Sequence, residues 1–348
     1  MNQPVYRAGI IGLGFIGGAD QVSGDRLGQQ VSNLDGTHCE SLSRHPQVHL
    51  VAGSSRDEGR RERFFQRTGV PTFADWQEML QAEKLDIVGV ASYAPSHAEL
   101  VEACARHRVR AIFCEKPIAT TLADAERMIA ACRTSGSLLV INHNRRFHPH
   151  YRELARRVAA GDLGELTGVW LSWGSGRLGN VGTHFIDAAM MLTGRSIQRV
   201  SATLDLAGRP DCRGPEFRDP GGWALLQFAR GLVGHVHAPD YSNSPAEVEI
   251  HGTAGRLRIA DGKAMISRWQ EEWEVLPPLK AEQGSSMDRA VEEIVSWLDN
   301  KVVPPCAPEE SLRTLEVILA CHASHARNGA WVDLPLTGDD RNREVQSG

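Results

Sequence analysis

At 348 residues the chain exceeds the size at which a single hydrophobic core keeps growing, so two domains are expected. Apolar content of 41% and charged content of 23% are those of a soluble globular protein, and a formal net charge of -5 offers no basic footprint for nucleic acid. No apolar run approaches the ~20 residues of a membrane helix, Met1-Asn2-Gln3-Pro4 lacks the features of a signal peptide, and the seven cysteines contain no C-x-x-C pair; a cytoplasmic protein without a disulfide framework or metal site is expected.

The first strand candidate, residues 5–11, runs straight into Gly12-Leu13-Gly14-Phe15-Ile16-Gly17. G-x-G-x-x-G directly after a strand allows a tight turn and close approach of a pyrophosphate, which makes Gly12, Gly14, Phe15, Ile16 and Gly17 candidate cofactor contacts. The helix expected next does not follow. Residues 18–36 have a loop-like composition, and a helix becomes credible only near Thr37 to Leu42, an insertion beyond the usual short connection. A second strand, residues 48–52, leads to Ser55 and Arg56, about where a dinucleotide fold reads the adenosine ribose. A hydroxyl and a guanidinium there, with Arg60 one helical turn on, suit a 2'-phosphate better than a free 2'-hydroxyl. NADP(H) is therefore favoured, with NAD(H) the alternative.

The alternation continues through a capped helix opening at Asp75, a strand at 85–91, a helix at 96–107 and a strand at 109–114, which implies parallel βαβ units. Ser92 and His97 then lie at a carboxyl strand end, on the cofactor side, although His97 could equally face solvent. The apolar Ala111-Ile112-Phe113 precedes Cys114-Glu115-Lys116-Pro117, which puts Glu115 and Lys116 where open α/β sheets bind ligands, and Pro117 keeps Lys116 out of the α region. A second capping box at Thr121 opens a helix ending near Gly136, and a strand at 138–141 completes about six strands before residue 142. The run Asn142 to Phe147 has too many donors for a core and should edge a cleft.

Beyond it come a strand ending near Trp173, a helix at 183–192, and six strand-like runs between residues 197 and 269 with few helices among them. That pattern suggests a largely antiparallel sheet. Helices return at 286–299 and 308–326, and the polar tail from Thr337 should fray. The expected organisation is a doubly wound parallel Rossmann domain at 1–142, a substrate-binding and oligomerisation domain at 143–336 built on a large, mainly antiparallel open sheet, and a tail at 337–348.

With these residues in place, the chain resembles the Gfo/Idh/MocA oxidoreductases, the family of glucose-fructose oxidoreductase and inositol dehydrogenase. The resemblance rests on the glycine turn, on Glu115-Lys116-Pro117, on Arg146-Phe147 and on His184-Phe185-Ile186-Asp187, in order and at matching spacing over residues 5–335. It implies a nicotinamide-dependent dehydrogenase or reductase acting on a CH-OH group of a sugar, sugar derivative or cyclitol. It also implies a homodimer or homotetramer formed through the open sheet. Lys116 matches the family lysine that contacts the reacting oxygen, and His184 the residue that exchanges its proton. Where relatives often carry an acid four positions before this histidine, Asn180 stands here, and Asp187 could partly compensate. Tyr93 replaces a frequent proline.

Oxidising a secondary alcohol requires a base for the hydroxyl proton and a group that stabilises developing negative charge. Either His184 accepts the proton while Lys116 holds the oxygen, or a neutral Lys116 is the base. Asn180, Asp187, Arg146 and Trp173 are candidate substrate contacts, as are Asn144 and the run Asp211 to Asp219, which reads equally as a charged hairpin loop. Two rivals remain: an NAD-dependent glycosidase or lyase that oxidises its sugar transiently, and a cofactor-binding regulator without chemistry.

Overall fold

The computed structural model describes residues 5–21, 35–206, 217–240, 242–278 and 284–345. Its first half alternates strands and helices: β1 (Tyr6–Ile11), α1 (Phe15–Gly18), α2 (His38–Arg44), β2 (Val48–Ser54), α3 (Glu58–Thr68), β3 (Thr72–Phe73), α4 (Trp76–Ala82), β4 (Ile87–Val90), α5 (His97–Arg106), β5 (Ala111–Cys114), α6 (Leu122–Ser135) and β6 (Leu138–Ile141). The strands form one parallel sheet in the order β3-β2-β1-β4-β5-β6. Every residue of β4 and β5 is buried, as continuous apolar runs covered on both faces should be. The order reverses between β1 and β4, so a crevice opens at the carboxyl ends of those strands.

Local signals set the helix ends. Thr37 and Thr121 each accept a hydrogen bond from the backbone N–H three residues on, and Gly136 closes α6 in the left-handed region. Asp75 caps α4 through the N–H of Gln77, not that of Glu78. The helix after the glycine turn is a single turn that stops at Ala19, also left-handed, and helix resumes only at His38. Most of the insertion, with Gly24, Asp25, Gly28 and Asn33, lies outside the described residues.

The second half comprises α7 (Pro149–Ala159), β7 (Leu166–Ser172), α8 (Thr183–Thr193), β8 (Ile197–Leu204), β9 (Gly222–Phe228), β10 (Val233–Ala238), β11 (Glu247–Gly252), β12 (Gly255–Ala260), β13 (Lys263–Arg268), β14 (Glu274–Val275), α9 (Ser286–Asn300), α10 (Pro308–Ala326) and β15 (Val332–Asp333). Nine strands form a second sheet, ordered β14-β13-β12-β11-β7-β10-β9-β8-β15. Among the described residues only the β10–β7 pair of this sheet is parallel, so the sheet is mainly antiparallel as expected. α7, α8 and α10 cover one face, while Trp170, Trp223, Leu225 and Val233 remain exposed on the strands. No helix among the described residues is long and apolar enough to cross a membrane.

α9 does not stay with the second sheet. Its Met287, Val291, Ile294 and Leu298 pack with Cys39 and Leu42 of α2 and with Tyr6, Ala8 and Ile10 of β1, so it closes the face left thin by the interrupted first helix. Two expectations are corrected. The tail is ordered through Val345: Asp340 is buried and ion-paired to Arg327 and Arg343, and the Val345 N–H donates to the Thr120 carbonyl at 3.0 Å. The donors of the Asn142 to Phe147 run do not bar it from the interior either, because Asn142, His143, Arg146 and Phe147 are all buried, with partners for the polar ones supplied from distant elements.

Candidate active site

The glycine turn is required by backbone contact. Gly12 has φ +97, and a Cβ there would lie 2.4 Å from the Ala91 carbonyl oxygen; a Cβ on Gly17 would lie 2.0 Å from that of Gly12. The ends of β1 and β4 can therefore approach only with glycine at both positions. Gly14 opens the turn of α1, whose first N–H groups have no partner within the helix, and Phe15 and Ile16 sit half-buried on its rim. A cradle of bare backbone at a switch point fits a pyrophosphate.

At the end of β2, Ser55 accepts from the Asp57 N–H at 3.3 Å, and the Arg56 side chain is exposed, with no ion pair among the described residues. Arg60 is differently placed. It lies 3.9 Å from the buried carboxylate of Asp20, which also holds Arg63 at 2.7 Å and Arg67 at 3.9 Å. Its guanidinium leans over the glycine turn, 3.5 Å from the position of a Cβ on Gly14.

His97 is fully buried, so the solvent-facing alternative is excluded. Its ring bridges the carbonyls of Pro117, at 3.0 Å, and Ser92, at 3.1 Å, tying together the loops after β4 and β5. Ser92 in turn accepts from the Ser96 hydroxyl at 2.8 Å. Glu115 points inward, against His38 Nε2 at 3.1 Å and Asn142 Nδ2 at 2.7 Å. Burial raises its carboxyl pKa, but His38, Lys116 and Asn142 together outweigh that and hold it below the ordinary value. Glu115 thus fixes the base of the site and does not line its opening.

Lys116 leaves the next position toward the second half, across a cis peptide bond to Pro117. Its Nζ donates to the Asn180 carbonyl oxygen at 3.1 Å and lies 3.4 Å from Asn180 Oδ1. Asn180 belongs to a π-turn, Leu178–Gly182, that leads into α8. Asp219 fixes this turn by accepting from the N–H groups of Gly179, at 2.6 Å, and Asn180, at 2.7 Å. His184 follows one turn later, half-buried, with no hydrogen-bond partner on its buried Nδ1. Burial, then the charges of Lys116 and Arg145, push its pKa well below the ordinary value, so the ring is neutral near pH 7.

Three expected substrate contacts lie behind this opening. Asp187 is fully buried and holds Arg146, with Nε at 2.9 Å and Nη2 at 2.8 Å from Oδ1, and so does not compensate for the missing acid at position 180. Trp173 is buried, donating to the Gly176 carbonyl at 2.5 Å and stacking on Phe185. Asp211 to Glu216 lie outside the described residues, while Phe217 reaches back to Tyr93 with ring centroids 5.7 Å apart. Asp219 closes the expected Asp211 to Asp219 run but serves the turn before α8, and Arg145 and His143 fall within the expected Asn142 to Phe147 run without having been singled out there. His143 packs edge-on against His184, centroids 6.1 Å apart, between the hydroxyls of Ser311 and Thr183. His38 had no expected role at the site, and nothing local in the sequence marks it.

Two family models match the chain: one described as "Oxidoreductase family, NAD-binding Rossmann fold" over residues 6–143, the other as "GFO/IDH/MocA C-terminal domain" over residues 169–258. D-apiose dehydrogenase of Paraburkholderia graminis is 29% identical over 296 residues, 75% of this chain and 76% of that one. Myo-inositol 2-dehydrogenase of Thermotoga maritima is 32% identical over 160 residues, 46% of this chain and 42% of that one. Among solved structures, aldose-aldose oxidoreductase from Caulobacter crescentus, complexed with glycerol, superposes with a TM-score of 0.78 at 20% identity, covering 95% of this chain and 100% of that one. That last likeness speaks to the fold alone.

Proposed function

Because the chain belongs to the Gfo/Idh/MocA oxidoreductase family, we propose that it is a dehydrogenase or reductase moving a hydride between NADP(H) and a secondary hydroxyl or carbonyl of a sugar, sugar derivative or cyclitol. In this reading residues 1–142 carry the cofactor and residues 143–336 the substrate. Relatives named as apiose and myo-inositol dehydrogenases support the substrate class.

The observation that carries the reading is the meeting of Lys116 and His184. Lys116 projects from the carboxyl end of β5 to within 3.1 Å of the turn that precedes His184, and the histidine keeps an unpartnered ring nitrogen. The nicotinamide, when bound, supplies the hydride acceptor or donor. Gly12, Gly14 and Gly17 would hold its pyrophosphate, and Ser55 with Arg56 the phosphorylated ribose. The Lys116 ammonium grips the reacting oxygen and stabilises its developing charge. His184, neutral at pH 7, accepts the hydroxyl proton in oxidation and returns it in reduction. Asn180, held by its backbone to Asp219, orients the lysine and offers its amide to a neighbouring hydroxyl.

Lys116→Met tests this directly. A panel of polyols, sugars and sugar acids with NADP+ and NAD+ should give turnover with the native protein on at least one member. The variant should lose at least ~1000-fold in kcat, the combined scale of a positioned proton-transfer and charge-stabilising group, while cofactor titration changes little. A Lys116→Met protein that still turns over would refute the assignment.

A further inference from the structure

Arg145 and Arg146 are neighbours in a short 3-10 turn, residues 144–147, after β6, yet their surroundings differ completely. Arg146 is consumed by Asp187 in the interior. Arg145 is half-buried on the site side, and among the described residues it makes no ion pair. Its Nε donates to the Tyr151 hydroxyl at 3.0 Å, and its guanidinium lies over the rings of Phe185, 4.7 Å to the centroid, and Tyr151, 5.8 Å. One hydrogen bond and two aromatic faces fix the plane of the group, and the N–H groups of Nη1 and Nη2 have no partner among the described residues.

Among the described residues, the carboxylates around the site do not balance this charge, since each is committed behind the opening. Glu115 accepts from His38 and Asn142, Asp187 holds Arg146, and Asp219 holds the backbone of Gly179 and Asn180. The positive charges of Lys116 and Arg145 both reach the rings of His143 and His184. A partly desolvated cation held rigid without a counter-charge is costly unless a ligand supplies one.

We infer that Arg145 recognises a carboxylate on the substrate, so that the preferred substrates are sugar acids of the aldonate or uronate class and not neutral polyols. This rests on the dehydrogenase reading above and narrows it. With Lys116 committed to the reacting oxygen, Arg145 leaves one free positive charge, which matches a monoanion, and the outer edge of a guanidinium pairs with the two oxygens of a carboxylate. A phosphate dianion would leave a charge unmatched.

The test uses the protein loaded with NADP+ or NAD+ at constant ionic strength. Its thermal midpoint and nicotinamide absorbance are followed with D-gluconate against D-glucitol, D-galactonate against galactitol, D-glucuronate against D-glucose, and D-glucose 6-phosphate. The acids should bind more tightly than their neutral counterparts. Arg145→Met should cut that preference by about 10- to 100-fold, the worth of a charged hydrogen bond, through KM where turnover is measurable, and Arg145→Lys should restore part of it. Equal stabilisation by neutral partners, stabilisation by neither, preference for the phosphate, or equal loss on acids and neutrals in Arg145→Met would each overturn the inference. Acid binding that depends on Arg145 without any change in the nicotinamide spectrum would uphold the inference and refute the dehydrogenase reading.

Discussion

Arg56 and Arg60 stand four residues apart across the start of α3, and the sequence offers both to a 2'-phosphate, yet their surroundings separate their roles. Asp20 is buried with three arginines around it, so Arg60 already serves a charge that would be costly alone. Arg56 has no such duty among the described residues. Arg56→Ala should therefore weaken NADP(H) binding by about 10-fold or more, the loss of one charged hydrogen bond, and leave NAD(H) binding nearly as it was. Parallel fluorescence titrations of the two reduced cofactors check this, and equal losses would end the phosphate reading. The place of Lys116 just past the end of β5 was legible in the sequence because a strand, a charged pair and a proline are consecutive. Arg145 was not. Two adjacent arginines after a strand carry no local mark of which one turns inward, and the choice was made by Asp187, 41 residues beyond Arg146.

The elements around the site are held by a buried knot. Glu115 at the end of β5 receives His38 from the start of α2 and Asn142 from the end of β6, while His38 packs on Phe113 with centroids 4.6 Å apart. Glu115→Met keeps the length of the side chain but removes the Oε1 that accepts from both His38 Nε2 and Asn142 Nδ2. It should cost about 1–3 kcal/mol, the penalty of a buried polar group left unsatisfied, and should loosen α2 more than α6. Urea unfolding gives the first quantity and hydrogen exchange on residues 38–44 the second; an unchanged urea midpoint would mean that the knot contributes nothing. Strand and helix periods were readable wherever one face alternated or ran apolar. α7 was also readable, from Tyr151 and Leu154 with Ala155 and Val158 behind them, but went unread among flanking arginines and histidines. That α9 covers the first sheet was not readable, because an amphipathic stripe names no partner.

Across the whole molecule, the interior keeps several histidines neutral, and this sets a pH window. Burial lowers the pKa of His143, His148 and His322 to about 4 in each case. Around His143 the charges oppose one another, Asp187 raising its pKa and Arg146, Lys116 and Arg145 lowering it, so burial decides the direction. In the unfolded chain these rings titrate near ~6.5. Between that value and about 4 the unfolded state binds protons that the folded state refuses, so stability falls as pH falls, by up to ~1.4 kcal/mol per pH unit for each such ring. Glu115 adds a loss of the same sign in a lower window. Its depressed pKa contributes stability that is complete above the unfolded carboxyl value of ~4.3 and is lost below it as pH falls through the folded value. Urea midpoints should therefore decline from just below pH 7, and His143→Asn should reduce the slope between pH 6 and 5 by about one proton. A midpoint that stayed level from pH 7 to pH 5 would show that these rings protonate without unfolding their surroundings. The same window bears on chemistry, since a His184 ring that stays neutral as pH falls from 7 toward 6 remains available to accept a proton while the fold around it begins to weaken.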